Sequence, residues 1–184
     1  MSDTVENLCR RAAAGDRDAA SELVSLYYER IFAFLRRLTG NDDEAADLTQ
    51  KTFCKAWNTL VSFQARSSFS TWLHAIAHHV YLDWRRARKL TEPLSDDWWS
   101  SRAADGPSPF EDAAERDAAS RLYGAVEQLD DDDRQTVHLH YYQGLSLAET
   151  AEALGVATST VKYRLRQALN FLRSRVVEPK VASR

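Results

Sequence analysis

Apolar positions along this chain recur every three to four residues, and no stretch alternates long enough to predict a strand. The first long run puts Ala19, Leu23, Leu26, Tyr27, Ile31, Phe34, Leu35 and Leu38 on one stripe. This predicts a helix ended by Gly40, with Asn41 or Asp42 capping the next. A second helix carries Ala45, Leu48, Thr52, Ala56 and Leu60 on one side, flanked by Phe53 and Trp57. A third begins near Ser68 or Ser70 and turns Leu73, Ile76, Ala77, Val80 and Trp84 inward. Three such helices close around one core, so the first half of the chain predicts a packed bundle.

The same pattern returns from Leu145 onward in two shorter pieces. Ser146 caps the first and Glu149, three residues on, completes a capping box; Leu147, Ala151 and Leu154 form its stripe, and Gly155 supplies a left-handed stop. Thr158 or Ser159 is the expected cap of the second, whose apolar face is Val161, Leu165, Ala168, Leu169 and Leu172. The opposite face carries Thr160, Lys162, Tyr163, Arg166, Gln167, Asn170 and Arg173. A helix-turn-helix divides its faces this way, with the second helix in the major groove. There Arg and Gln pair with guanine and adenine edges, and Lys neutralises phosphate. A helical hairpin with a solvated basic face is the alternative these residues leave open.

Between the two patterned halves, TEPLSDDWWSSRAADGPSPFED breaks periodicity with Pro93, Gly106, Pro107 and Pro109. The reading is an all-α protein of two small helical domains, residues 1–90 and 116–177, joined by an acidic flexible linker at 91–115. Trp98 and Trp99 are expected to dock, either on their own chain or on a partner.

Charge sharpens this picture. The net charge is only −3, but from Thr91 to Asp133 there are 13 acidic and 3 basic residues, a local net of −10. From Arg134 to Arg175 there are 6 basic and 2 acidic residues, a net of +4. Trp84 to Lys89, WRRARK, adds four cations in six positions. Phosphate affinity follows local cation clusters rather than overall charge, so two nucleic-acid contact points are expected. In the third helix Phe69, Trp72, His78, His79, Tyr81, Arg85, Arg86 and Arg88 mix rings with cations, a combination suited to unpaired bases. For Phe69 and Trp72 the other reading is that of core anchors.

Other function classes fall away. No apolar run is long enough to span a membrane, and the polar start, MSDTVENLCRRAAAGD, has no signal-peptide core. Cys9 and Cys54 match no metal or redox spacing, so a reducing cytoplasm is expected. His74 and His78, or His138 and His140, lack the companions of a zinc site. Neither a phosphate loop nor a nucleophile elbow is present. No metal, cofactor or catalytic activity is therefore expected. A one-component repressor with a C-terminal helix-turn-helix fits the second half equally well, but leaves the basic, aromatic third helix unexplained.

Three motifs in order carry a family resemblance: EAADLTQKTFCKAW, FSTWLHAIAHHVYLDWRRARK and LSLAETAEALGVATSTVKYRLRQALNFLR. With these the chain resembles an extracytoplasmic-function sigma factor of the sigma-70 superfamily. The resemblance implies that the first domain binds the β′ clamp helices of RNA polymerase core and opens the −10 promoter element. It implies that the second domain reads the −35 element and touches the β flap, with an anti-sigma factor as a further candidate partner. By position, Glu44, Asp47, Leu48, Gln50, Lys51 and Phe53 fall on the polymerase-binding helix. Phe69, Trp72, His78, His79, Arg85, Arg86 and Arg88 fall in the −10 segment. Thr158, Ser159, Thr160, Lys162, Tyr163, Arg164, Arg166 and Gln167 fall on the −35 helix.

The chain departs from the family pattern in three places. Ala46 and Lys51 stand where acids are common, which leaves a cationic clamp surface a weaker partner. His79 stands where Asn is frequent. Asp130 to Asp133 follow Leu129 where Leu-Pro is usual, and are expected to favour the next helix through its dipole. Thr52, with Thr49 in reserve, is a candidate phosphate acceptor whose added charge would restore the missing acidity under a Ser/Thr kinase.

Overall fold

The computed structural model describes residues 4–91 and 121–176, and every regular element among them is helical. The all-α expectation holds. Thr91, expected to open the linker, ends the fourth helix instead; Trp98, Trp99 and the rest of the expected linker lie outside the described residues.

The N-terminal half contains α1 (Val5–Ala13), α2 (Arg17–Thr39), α3 (Asp42–Thr59) and α4 (Phe69–Thr91). Its punctuation follows the sequence: Gly40 ends α2 in the left-handed region (φ 68°), and the Asn41 side chain accepts from the Glu44 amide at 2.9 Å to start α3. Ser68 Oγ accepts from the Thr71 amide at 3.1 Å and caps α4. Helix α1 has no counterpart in the periodicity reading; two buried residues, Leu8 and Cys9, hold it to the bundle.

The C-terminal half contains the helical residues 121–127 (α5), α6 (Asp131–Val137), which continues as a π turn over His138–Tyr142, then α7 (Leu147–Leu154) and α8 (Thr158–Val176). The capping box forms in full: the Ser146 hydroxyl accepts from the Glu149 amide, and the Glu149 carboxylate accepts from the Ser146 amide. Gly155 stops α7 at φ 66°. Helix α8 starts slightly earlier than expected. The Ala157 carbonyl accepts from the amides of Thr160 and Val161, so neither Thr158 nor Ser159 is the cap.

Among the described residues, two apolar clusters hold the helices together. The smaller joins Val126, Leu129, Val137 and Ala151 to Val161, Leu165, Ala168 and Leu172. The larger is built on Leu23, Phe34, Leu35 and Leu38 of α2, Leu48 of α3, and Leu73 and Ala77 of α4. It also takes in Leu139, Leu145, Ala153 and Leu154 from the second half. The halves therefore share a core. Each large aliphatic side chain buried at that seam is worth about 1.5–3 kcal/mol.

Candidate nucleic-acid interface

Helix α8 separates its faces cleanly. Val161, Leu165, Ala168 and Leu172 are buried, while Thr158, Ser159, Lys162, Tyr163, Arg166 and Gln167 are exposed and Thr160 is half-buried. Tyr163 and Gln167, one turn apart, are linked by a bond from Gln167 Nε2 to the phenol oxygen at 2.9 Å. Arg164 is turned away from the others and pairs with Asp132 of α6. A helix with Lys162, Arg166 and Gln167 on its exposed face suits a major groove.

Helix α4 divides the expected −10 residues. His79 and Arg86 are exposed, with Arg86 3.3 Å from Asp83. Trp72, Arg85 and Arg88 are half-buried, and Arg88 Nη1 donates to Glu44 Oε1 at 2.7 Å, tying α4 to α3. Phe69 and His78 require correction. Phe69 is 3% exposed, ringed by Tyr27, Phe63 and Trp72 with centroids 5.1, 5.8 and 5.5 Å away, so it anchors the core. His78 is 7% exposed, and burial, helped by His79, pushes its pKa down to about 4, so it offers no charge to a strand. His74 is likewise neutral, pushed down to about 4 by burial, its Nδ1 at 2.8 Å from the Ser70 carbonyl.

On α3, Asp47, Gln50 and Lys51 are exposed, Glu44 is half-buried, and Leu48 and Phe53 belong to the core. Lys51 Nζ donates to Asp47 Oδ2 at 2.5 Å, so the expected weakening of this acidic face is compounded by an ion pair on it. Asp47, Gln50 and Phe53 border an open groove of about 560 Å³, also lined by Val24 and Tyr28 of α2 and by Cys54 and Trp57. The α2 contribution is one the sequence does not announce. Its signal was a pair of apolar residues one turn apart, Val24 and Tyr28, lying off the buried stripe.

The candidate phosphate acceptors also require correction. Thr49 and Thr52 are both 0% exposed, and their hydroxyls donate to the carbonyls of Ala45 and Leu48 at 2.7 and 2.8 Å. A kinase reaches neither hydroxyl while α3 is seated.

Asp131, expected only to favour a helix dipole, instead gathers partners from both halves. It accepts from Tyr81 Oη at 2.7 Å, from Arg134 Nη2 at 2.8 Å and from Gln135 Nε2 at 3.0 Å, and it pairs with Arg85. A second polar link joins Thr71 Oγ1 to Glu149 Oε1 at 3.2 Å. The hydrogen bond from the Ser146 amide, then that from its hydroxyl, holds the Glu149 carboxyl below the usual range.

Among the described residues no group of His, Cys, Asp or Glu is placed to hold a metal ion, and no helix is long and apolar enough to cross a membrane. Residues 23–91 match sigma-70 region 2, and residues 119–172 match sigma-70 region 4. The chain belongs to the extracytoplasmic-function sigma factors. This sigma factor is 34% identical to the RNA polymerase sigma factor YlaC of Bacillus subtilis, over 83% of this chain and 88% of that protein. It is 29% identical to the ECF RNA polymerase sigma factor SigW of the same organism, over 96% of this chain and 98% of that protein. Its fold is like that of CnrH in complex with the cytosolic domain of CnrY, with TM-score 0.69, 24% identity, and 94% and 96% of the two chains covered. RpoE of Bartonella quintana, solved with the anti-sigma factor NepR, gives the same TM-score, 0.69, at 24% identity, over 89% of this chain and 98% of that one. As a sigma factor, the protein serves promoter-specific transcription initiation.

Proposed function

We propose that this sigma factor carries RNA polymerase core to promoters by three surfaces, divided between a domain of residues 1–90 and one of residues 116–177. The groove and exposed acids of α3 meet the β′ clamp helices. His79, Arg85, Arg86 and Arg88 of α4, with the edge of Trp72, engage the opened −10 strand. The exposed face of α8 reads the −35 element while the second domain touches the β flap. The observation carrying this reading is α8 itself: Lys162, Arg166 and Gln167 stand free of the core on a helix fixed by the α7 capping box and the Gly155 turn.

Run-off transcription with reconstituted holoenzyme tests it. Lys162→Ala and Arg166→Ala should weaken promoter use while binding to core is unchanged. A lost bidentate base contact costs about 1–3 kcal/mol and relaxes one base position, whereas a lost phosphate contact weakens all sequences alike. Replacing Lys51 with Glu should tighten core binding in a salt-sensitive way, because it releases Asp47 and adds an acid. Unchanged transcription in both α8 variants rejects the −35 assignment. An anti-sigma factor covering α3 is the regulator best matched to the neighbours' complexes, and competition with core polymerase would reveal it.

A further inference from the structure

Helix α8 carries on its outer face a hydrogen bond that its packing does not require. Tyr163 is 61% exposed and Gln167, one turn on, is exposed as well, yet Gln167 Nε2 donates to Tyr163 Oη at 2.9 Å. Pairs at this spacing firm a helix only slightly. The helix is already held by Val161, Leu165, Ala168 and Leu172 beneath it and by the Arg164–Asp132 pair at its side. What the bond does fix is the Gln167 amide. A free glutamine can turn its amide over and so match several base edges. With one Nε2 hydrogen committed to the phenol, the amide keeps one donor hydrogen and the lone pairs of Oε1. Lys162 and Arg166, exposed on the same face, only donate, so the Gln167 carbonyl is the dedicated acceptor among them.

One donor beside one acceptor complements a particular major-groove edge. Adenine presents N7 as acceptor and its N6 amino group as donor, and a glutamine amide meets both. Guanine offers two acceptors, N7 and O6, and the fixed amide would set Oε1 against one of them. We propose that Tyr163 and Gln167 act as one unit that selects an A·T pair within the −35 element: Gln167 touches the adenine edge, and Tyr163 holds its amide in the orientation that refuses guanine. This rests on the reading of α8 as the −35 helix and goes beyond it by naming the base and the residue that positions the reader. Tyr163 is a positioning residue. Its ring need touch no base, and its own hydroxyl hydrogen stays available for an acceptor on the DNA. An amide fixed beforehand also has less side-chain freedom to lose on binding.

The test is a selection. Holoenzyme reconstituted from the full chain and core polymerase is offered a duplex DNA library randomised over the −35 and −10 blocks, and the bound molecules are sequenced. Wild type should enrich adenine over guanine at one −35 position by about fivefold or more, the low end of what a bidentate contact discriminates. Gln167→Ala should erase the preference there and leave the other positions as they were. Tyr163→Phe keeps the ring but removes the acceptor, so it should admit guanine and cut the adenine preference to about twofold or less. Gln167→Glu, which only accepts, should move the preference at the same position toward cytosine. All three changes lie on the exposed face, so melting temperatures should stay at the wild-type value. The proposal is overturned if Tyr163→Phe leaves every position unchanged, if it weakens all sequences alike, or if the position lost in Gln167→Ala is not an A·T pair. Arg166→Ala separates this from the parent reading. If it alters −35 preferences while Tyr163→Phe does not, the paired unit alone is rejected. A −35 block that is not enriched in wild type, or is the same in every α8 variant, rejects the −35 reading as well.

Discussion

Thr52 donates its hydroxyl to Leu48 within α3 and has no exposed surface, so in the seated helix it fills a core position on the apolar stripe. A carboxylate placed there is buried without a partner, so Thr52→Glu should lower stability by about 3 kcal/mol or more and reduce polymerase binding through unfolding. Thermal melting beside a core-binding assay checks this; stronger binding at unchanged melting temperature would contradict it. Buried histidines give a second prediction at this scale. Burial holds His74 and His78 neutral with pKa values near 4, and His138 near 3 with help from Arg37 and Arg134. Their ordinary value of 6.5 applies in the unfolded chain, which therefore binds more protons between the two values. Stability should be unaffected by these groups above about pH 7, fall as pH drops through 6.5 toward 4, and level off below. The slope reaches at most about 1.4 kcal/mol per pH unit for each histidine. Denaturant melts across that range should show it, and His138→Leu, if it folds, should flatten the slope by about a third.

At the scale of elements, the capping box and the glycine stop set the angle at which α8 leaves α7. Replacing Ser146 with Ala removes the acceptor for the Glu149 amide and should cost about 1 kcal/mol, read as a lower melting temperature. Because Glu149 also accepts from Thr71 of α4, the same change should loosen the seam between halves, with faster amide exchange at both α7 and the first turn of α4. A loss of stability with no exchange change in α4 would separate the cap from the seam. Helices α2, α3, α4, α7 and α8 were legible from periodicity because each is long or firmly capped. Helix α1 was not, since nine residues with two buried side chains make too short a stripe. The π turn over His138–Tyr142 was also invisible, because a single irregular turn of five residues is too short for a change of period to register in the apolar pattern.

For the whole molecule, the shared core predicts that the halves stay together when the chain between them is cut. With a protease site inserted among residues 92–120, the cleaved fragments should co-elute on gel filtration and melt in one transition. Leu139, Leu145, Ala153 and Leu154 of the second half are buried with the α2–α4 cluster and would otherwise face water. Fragments that separate and melt independently would show that the seam contributes little.

The amino-acid sequence by itself determined the helical class, most helix ends, the basic face of α8 and the family motifs. These depend on spacing within a few residues, where capping, glycine geometry and a 3.6-residue period act directly. Tertiary structure alone decided the rest. It turned Phe69, His78 and Thr49 into core residues, brought Val24 and Tyr28 beside Asp47 and Gln50, and set Asp131 against Arg85 across 46 positions of sequence. A helical stripe says that one face is covered but not by what. Side chains on its border are assigned only when a second element arrives, and pairings between distant charges depend on a packing angle no local pattern encodes.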